Sequence, residues 1–187
     1  PTTAETKEIQ NFEERSSQML QSLMQDSQLL TVIETHKGLN GQISDNLLLD
    51  DPEYLEAILI YLQSKNAAFP ARLQRLLGTK KLPAMGVEWM ERLLQGFLYD
   101  DNDSYLCDKV YREMLMDQLK SQGLIEKKKV ILTKSAAVEK LLTNSLGKAN
   151  SIRDIVFSEY DSMGSSLRLL ILTDYIRKEY EKAIGNP

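Results

Sequence analysis

The clearest helix in this sequence lies at residues 50–62, DDPEYLEAILIYL. An aspartate before Pro52 can accept hydrogen bonds from the free amides of a first helical turn, and proline fits that turn because its missing N–H is not needed there. The apolar residues that follow recur at helical spacing, which predicts a helix with a buried face. The side chains expected in the core are Leu55, Ile58, Leu59 and Leu62.

The composition of the whole chain also favours helices. Nine Gly and five Pro are few for 187 residues, aromatic residues make up only 7%, and 42% of the residues are hydrophobic. A chain of this kind can bury one large core or two small ones. We expect a mainly α, bundle-like fold with one or two short β-strands, at about residues 129–133 and 167–173.

A long helical pattern precedes this helix, at residues 6–36. Apolar residues from Ile9 to Ile33 alternate at spacings of three and four, interrupted by polar residues such as Asp26. The pattern predicts one amphipathic helix that packs on a neighbour and ends at Gly38 in a left-handed cap. His36 then lies in the last turn, where contact with the helix C-terminus is the expected role.

Further helices are predicted downstream, at residues 69–77 with Gly78 closing the helix, and at residues 89–98. A helix at about residues 104–122 is expected to bury Leu106, Val110, Met114 and Leu119. Residues 119–134 combine a helix end, Gly-Leu-Ile, a basic turn and an apolar strand, which is typical of the wing of a winged helix. Helices are also predicted at residues 135–145, 151–163 and 174–184.

The sequence carries no complete catalytic or cofactor-binding motif. Gly147-Lys148-Ala149 is the nearest approach to a phosphate-binding loop, but it lacks the upstream glycine and the hydroxyl that binds magnesium. Gly-x-Ser-x-Gly, His-Glu-x-x-His and Cys-x-x-Cys patterns are also missing. We predict no catalytic residue, metal ligand or cofactor within the chain. The single Cys107 and the lack of a long apolar run favour a reducing, cytoplasmic location and no membrane span.

Charge is distributed unevenly along the chain. The net charge is −4, but residues 1–60 hold 11 acidic and 3 basic side chains, whereas residues 61–187 hold 16 acidic and 20 basic ones. Two basic groups are the type of surface that phosphate contacts require. The candidate nucleic-acid-binding residues are Arg72, Arg75, Lys80, Lys81, Lys127, Lys128 and Lys129. Solvated loops and docking against the acidic first third of the chain remain open as alternatives.

The end of the chain carries a family resemblance. KANSIRDIV at residues 148–156 and LRLLILTDYIRKE at residues 167–179 resemble the entry into the second RecA-like domain of bacterial superfamily-two (DEAD/DEAH-related) helicases. In that family a Lys precedes a helix with an Ile-x-x-Ile-Val core, and a strand then begins the C-terminal motor lobe. The resemblance implies that residues 1–146 form a helical insertion domain and that residues 147–187 form the helix-strand-helix that opens the second lobe.

The same resemblance implies the function. The chain is expected to be a non-catalytic segment of an ATP-dependent DNA helicase, excised from a longer chain, that guides DNA or a partner between the remaining motor lobes. ATP and Mg²⁺ would be bound by those lobes and not by this chain. One alternative is a protein-interaction scaffold that docks a partner through the helical stripe at residues 9–33. A small enzyme, whose site no motif reveals, is a third possibility.

Overall fold

The computed structural model describes residues 3–106, 109–133 and 146–170, and the side chains of residues 6–106, 109–133 and 151–170. These residues form the mainly helical fold that the composition predicted, with a two-stranded antiparallel sheet. The helices are α1 Thr3–Gln25, α2 Ser27–Glu34, α3 Asp45–Leu48, α4 Pro52–Ser64, α5 Ala71–Leu76, α6 Val87–Gln95, α7 Lys109–Ser121 and α8 Leu146–Met163. A π-helical turn, Gly96–Asp100, continues α6, and the strands are β1 Ile125–Glu126 and β2 Lys129–Val130.

Helix α4 is the centre of the core. Asp51 accepts a hydrogen bond from the Tyr54 N–H at 3.0 Å and Pro52 occupies the first turn, so the predicted helix start is confirmed. Every side chain from Ala57 to Leu62 is completely buried. Burial therefore extends all round this part of the helix, because α6 and α2 both pack against it.

The N-terminal pattern forms two helices, α1 and α2, where one was predicted. The Asp26 side chain accepts hydrogen bonds from the N–H groups of Gln28, at 2.8 Å, and Leu29, at 3.3 Å. Aspartate competes well for free amides, so it ends α1 and caps α2. The apolar stripe predicted across both helices is packed into the core at Phe12, Met19, Leu23 and Ile33.

Gly38 is not the left-handed cap that the sequence predicted. The left-handed glycine in this turn is Gly41, with φ of 72°. A Cβ on Gly38 would lie 2.6 Å from Leu48 Cδ2 and 2.9 Å from His36 Nδ1. Glycine is required at position 38 because the loop packs closely against these two side chains, and not because of its backbone angle.

Strands β1 and β2 form a tight hairpin after α7. Ile125 pairs with Val130 and Glu126 pairs with Lys129, which leaves Lys127 and Lys128 as a two-residue turn. Both turn lysines are left-handed, with φ of 48° and 66°. Two-residue hairpin turns of this handedness match the twist of the strands they join. The strand expected at 129–133 is therefore present, but only over its first two residues.

Helix α7 buries a different face from the one predicted. Three side chains expected in the core are exposed: Leu106 by 73%, Val110 by 68% and Met114 by 52%. The buried side chains are Tyr111, Leu115 and Leu119, of which only the last was predicted. Both sets recur every four residues, so both satisfy the helical period. The Tyr111 hydroxyl donates to Asp26 Oδ2 at 2.7 Å, a contact that fixes the buried face.

Helix α8 has an exposed surface, since Val156 is the only half-buried side chain among its described residues 151–163. The strand predicted at residues 167–173 is not formed over residues 167–170. A strand needs a partner for its backbone groups, and no described strand pairs with this segment. Residues 171–173 and the helices predicted at 135–145 and 174–184 lie outside the described residues.

Among the described helices, none has the length and apolar character needed to cross a bilayer.

Candidate functional site

The seven candidate phosphate-binding residues lie in two separate groups. The α5 group consists of Arg72 and Arg75 on helix α5 and Lys80 and Lys81 in the loop after it. The hairpin group consists of the three lysines at residues 127–129. Among the described residues, no hydrogen bond or ion pair joins one group to the other, so each must be judged by its own surroundings.

Arg72 makes contacts within the fold and is therefore not free to bind a ligand. Its Nη1 pairs with Asp45 at the start of α3, and its Nη2 donates to the Gly38 carbonyl at 3.1 Å. The guanidinium therefore links α5 to α3 and to the loop after α2. A phosphate could reach Arg72 only by displacing these partners, which removes it from the set of readily available cations.

The other members of the α5 group are exposed. Arg75 lies in the last turn of α5, where a positive charge interacts favourably with the helix C-terminus. Lys80 and Lys81 follow in a loop that is held by a hydrogen bond from Gln74 Nε2 to the Lys80 carbonyl at 3.2 Å. None of these three side chains makes an ion pair within the described part of the chain. They form a solvated basic surface.

The tip of the hairpin presents two lysines on a well-anchored turn. Lys127 and Lys128 are exposed and make no ion pair among the residues described. Gln95 at the end of α6 holds the hairpin on both sides, because its Oε1 accepts from the Val130 N–H at 2.9 Å and its Nε2 contacts the Lys128 carbonyl at 3.5 Å. The two positive charges therefore project from a defined position.

Glu91 anchors the chain just after β2. Its Oε2 accepts hydrogen bonds from the N–H groups of Leu132, at 2.6 Å, and Thr133, at 2.7 Å, and from the Thr133 hydroxyl at 2.9 Å. Three donors on one carboxylate oxygen make a strong, charge-assisted contact. Helix α6 thus fixes both the hairpin and the segment that follows it.

Lys129 differs from the two tip lysines because its surroundings are acidic. It lines a cavity of about 380 Å³ together with Glu53, Glu88 and Glu91. It also faces Glu126 across the hairpin. These carboxylates oppose the approach of a phosphate, so Lys129 is the weakest candidate in the hairpin group.

His36 is buried in an aromatic cluster, and its role differs from the predicted helix-end contact. Its Nδ1 accepts a hydrogen bond from the Gly38 N–H at 3.1 Å, so its Nε2 carries the proton and donates to Asp101 at 3.1 Å. The Tyr105 ring lies edge-on to it, with ring centroids 4.9 Å apart. Both ring nitrogens have partners, which leaves neither of them available as a general base in this arrangement.

Asp101 links the histidine to the loop after α6. Burial favours the neutral carboxyl, but hydrogen bonds from His36 and Ser104 outweigh this effect and hold the pKa of Asp101 below its ordinary value of 3.8. The neighbouring Tyr54 hydroxyl pairs with that of Tyr105, and burial, followed by that partner, raises the pKa of Tyr54 well above 10.0. These groups form a buried polar network that sequence reasoning missed, because its members are 65 residues apart at His36 and Asp101.

A cavity of about 600 Å³, which we term the acidic cavity, opens beside this network. Three segments line it: the loop after α2, the stretch from α3 into α4, and the loop at residues 100–104. Its floor is apolar at Leu48, Leu55 and Ile58, and its rim carries four aspartates, Asp51, Asp100, Asp101 and Asp103. Among the described residues, no group of three or more His, Cys, Asp or Glu side chains has an arrangement that could hold a metal ion.

The comparisons with known proteins return no relative. No protein-family model, curated protein or solved structure matches this chain. The proposed function therefore rests on the surfaces described above and on the sequence resemblance at residues 148–179.

Proposed function

We propose that this chain is a non-catalytic helical segment of an ATP-dependent DNA helicase-like protein, and that its hairpin contacts nucleic-acid phosphates. One observation carries the proposal: Lys127 and Lys128 are exposed, without an ion-pair partner in the described part of the chain, on a tight turn anchored by Gln95. Lysines held in this way release counterions when they meet a phosphate backbone, which favours binding. The helicase context is supported by the resemblance at residues 148–179.

The proposed contact is through the wing-like hairpin and not through the helix before it. In a winged helix the helix that precedes the wing commonly enters a DNA groove, and a basic surface is then expected. The exposed face of α7 instead combines apolar Val110 and Met114 with acidic Glu113 and Asp117, and its Lys120 pairs with Asp117 at 3.6 Å. Contact with phosphates at the hairpin tip gives orientation without base recognition, which suits a segment that guides DNA of any sequence.

The α5 group would supply a second, weaker contact. Arg75, Lys80 and Lys81 are exposed, whereas Arg72 is committed to Asp45 and Lys129 is surrounded by carboxylates. ATP hydrolysis would belong to the other lobes of the parent protein, which would bind ATP and Mg²⁺.

Fluorescence anisotropy with labelled single-stranded and forked DNA, at several salt concentrations, tests this proposal. We expect binding at low salt that weakens as a power of the salt concentration. Reversing the charge of both tip lysines, Lys127→Glu and Lys128→Glu, should abolish most of this binding, and adding Lys80→Glu, Lys81→Glu and Lys129→Glu should abolish the remainder. A matched double reversal at Lys7 and Arg153, which belong to neither group, serves as the control.

Two results would contradict the proposal. One is an absence of binding to either DNA even at the lowest salt concentration. The other is an equal loss of binding in the tip variant and in the Lys7/Arg153 control, because that would show a general effect of net charge. Circular dichroism of each variant should match that of the wild type, since all seven substituted side chains are exposed.

The scaffold alternative loses the surface from which it was predicted. The stripe at residues 9–33 packs into the core, where Phe12, Met19 and Leu23 are at most 3% exposed. A protein partner would therefore need a different surface, and the acidic cavity is one that the described residues offer.

A further inference from the structure

We propose that the acidic cavity docks a short basic amphipathic segment of a partner protein, with an apolar side chain against its floor and Lys or Arg side chains at its rim. The proposal does not depend on nucleic-acid binding, because the residues involved belong to neither basic group. It rests on the shape and apolar floor of the cavity, on the charge of its rim, and on the contacts that hold its walls in place.

The floor of the cavity is apolar, and one exposed leucine lines its mouth. Leu48, Leu55 and Ile58 form a buried floor, and Leu47 lines the mouth with 63% of its surface exposed. A volume of about 600 Å³ falls within the range of about 300–1,000 Å³ that is usual for ligand pockets. Covering an exposed leucine at the mouth of such a cavity with an apolar group lowers the free energy of the complex.

The charge at the rim selects the partner. Four aspartates line the cavity, and Lys37 is the only Lys or Arg among the lining residues. Arg92 approaches from outside and pairs with both Asp51 and Asp100. Arg112 also reaches the loop at residues 100–104, where it donates to Asn102 Oδ1 at 2.8 Å and to the Asp101 carbonyl at 3.3 Å. Four carboxylates against these three cations leave an excess of one negative charge. Asp103 is exposed and makes no ion pair among the described residues, so it is the carboxylate best placed to meet an incoming cation.

The walls of the cavity are tied together before any partner arrives. The Lys37 N–H donates to the Ser104 carbonyl at 2.7 Å, and its Nζ donates to the Asp103 carbonyl at 2.6 Å. The contact between His36 and Asp101 joins the same two loops. A cavity held open in this way binds without a large cost of ordering its loops.

A basic amphipathic segment matches both properties. Its apolar side would cover Leu47 and reach the floor, as helices do when they dock into a groove. Its Lys or Arg side chains would meet Asp103 and the other carboxylates of the rim.

The test is fluorescence anisotropy of the full 187-residue chain with two labelled peptides. Each peptide has about 14 residues, with Leu at helical spacing and either Lys or Glu at the other positions. We expect the Lys peptide to bind and the Glu peptide not to bind. Leu47→Ser should weaken binding of the Lys peptide by about fivefold to thirtyfold, since it removes most of a leucine contact.

Asp103→Asn and Glu13→Gln form a matched pair that separates the cavity from net charge. Each removes one negative charge from an exposed position, but Glu13 lies on α1 and does not line the cavity. We expect only Asp103→Asn to weaken binding. The tip variant Lys127→Glu/Lys128→Glu should bind the peptide at least as well as the wild type, which distinguishes this proposal from DNA binding.

Four outcomes would overturn the proposal. The first is equal affinity for the Lys and Glu peptides, and the second is an equal effect of Asp103→Asn and Glu13→Gln. The third is self-association of the wild-type chain in analytical ultracentrifugation that Leu47→Ser abolishes, because the occupant would then be a second copy. Unchanged peptide binding by a folded Leu47→Ser variant would also exclude the cavity as the binding site.

Discussion

Glu91→Gln tests how firmly α6 holds the segment after the hairpin. One oxygen of Glu91 accepts three hydrogen bonds, two from the N–H groups of Leu132 and Thr133 and one from the Thr133 hydroxyl, at 2.6 to 2.9 Å. Glutamine keeps an acceptor oxygen of the same shape but removes the negative charge. Because hydrogen bonds to a charged group are roughly twice as strong as neutral ones, the three contacts should weaken together.

We expect Glu91→Gln to lower the free energy of unfolding by about 1–3 kcal/mol. Urea denaturation followed by circular dichroism measures this change. The slope of the free energy of unfolding against urea concentration should be the same in variant and wild type, as a pure change in stability requires. Glu88→Gln is the matched control, because Glu88 lines the same cavity and is exposed but makes no hydrogen bond among the described residues. The reasoning is refuted if Glu91→Gln and Glu88→Gln both stay within about 0.5 kcal/mol of the wild type.

Three further predictions concern the core and its polar network. Gly96→Ala should destabilise the protein by about 1–3 kcal/mol in thermal or urea denaturation, because a Cβ there would overlap the Tyr54 ring; an unchanged midpoint would contradict the packing. Asp101→Asn should lower the free energy of unfolding by about 1–3 kcal/mol at neutral pH, because asparagine offers one acceptor oxygen to two donors, the His36 Nε2–H and the Ser104 N–H. Because the pKa of Asp101 is lowered in the folded state, its contribution to the free energy of unfolding is fully present above pH 3.8, the ordinary pKa, and is lost as the pH falls through the folded-state pKa. The difference in stability between Asp101→Asn and the wild type should therefore narrow in acid. Asp26→Ala should lower the free energy of unfolding by about 1 kcal/mol or more, because it removes both the α2 cap and the acceptor of the Tyr111 hydroxyl; a change of under a few tenths would argue against both contacts.

Local chemistry made several parts of the fold predictable. Asp51 and Pro52 specify the start of α4 without help from the rest of the chain. Gly78 closes α5 in a left-handed conformation, with φ of 68°, as its position predicted. The basic turn predicted before the strand at about residues 129–133 is the turn of the hairpin at Lys127 and Lys128, although strand β1 was not predicted. Each of these features depends on residues that are neighbours in the sequence.

Tertiary packing decided the parts that were predicted wrongly. Helix α7 has two apolar faces of equal period, and the buried one contains Tyr111, whose hydroxyl donates to Asp26, 85 residues away in the chain. The break between α1 and α2 is an exception, because Asp26 makes it locally by capping the amides of Gln28 and Leu29; in the sequence the same residue is equally compatible with a polar interruption of one long helix. An apolar run at residues 167–170 predicts a strand only when another strand is present to pair with it.

The candidate functional residues also fall into those that local sequence predicts and those that depend on residues distant in the chain. The exposed lysines of the hairpin were found from sequence, because basic runs usually remain on the surface. The commitment of Arg72 to Asp45, and the carboxylates around Lys129, could not be found, because they depend on residues distant in the chain. The acidic cavity was missed for the same reason, since residues 36–58 of its walls lie more than 40 residues from the loop at residues 100–104.

The salt dependence of DNA binding by the wild type and by Lys127→Ala/Lys128→Ala tests the proposed function most directly. Each phosphate contact on single-stranded DNA contributes about 0.7 to the slope of the logarithm of affinity against the logarithm of salt concentration. We predict that removal of the two tip lysines makes the slope shallower by about 1.4, with weaker binding at low salt. An identical slope and affinity for both proteins would contradict the proposal that the hairpin contacts nucleic-acid phosphates.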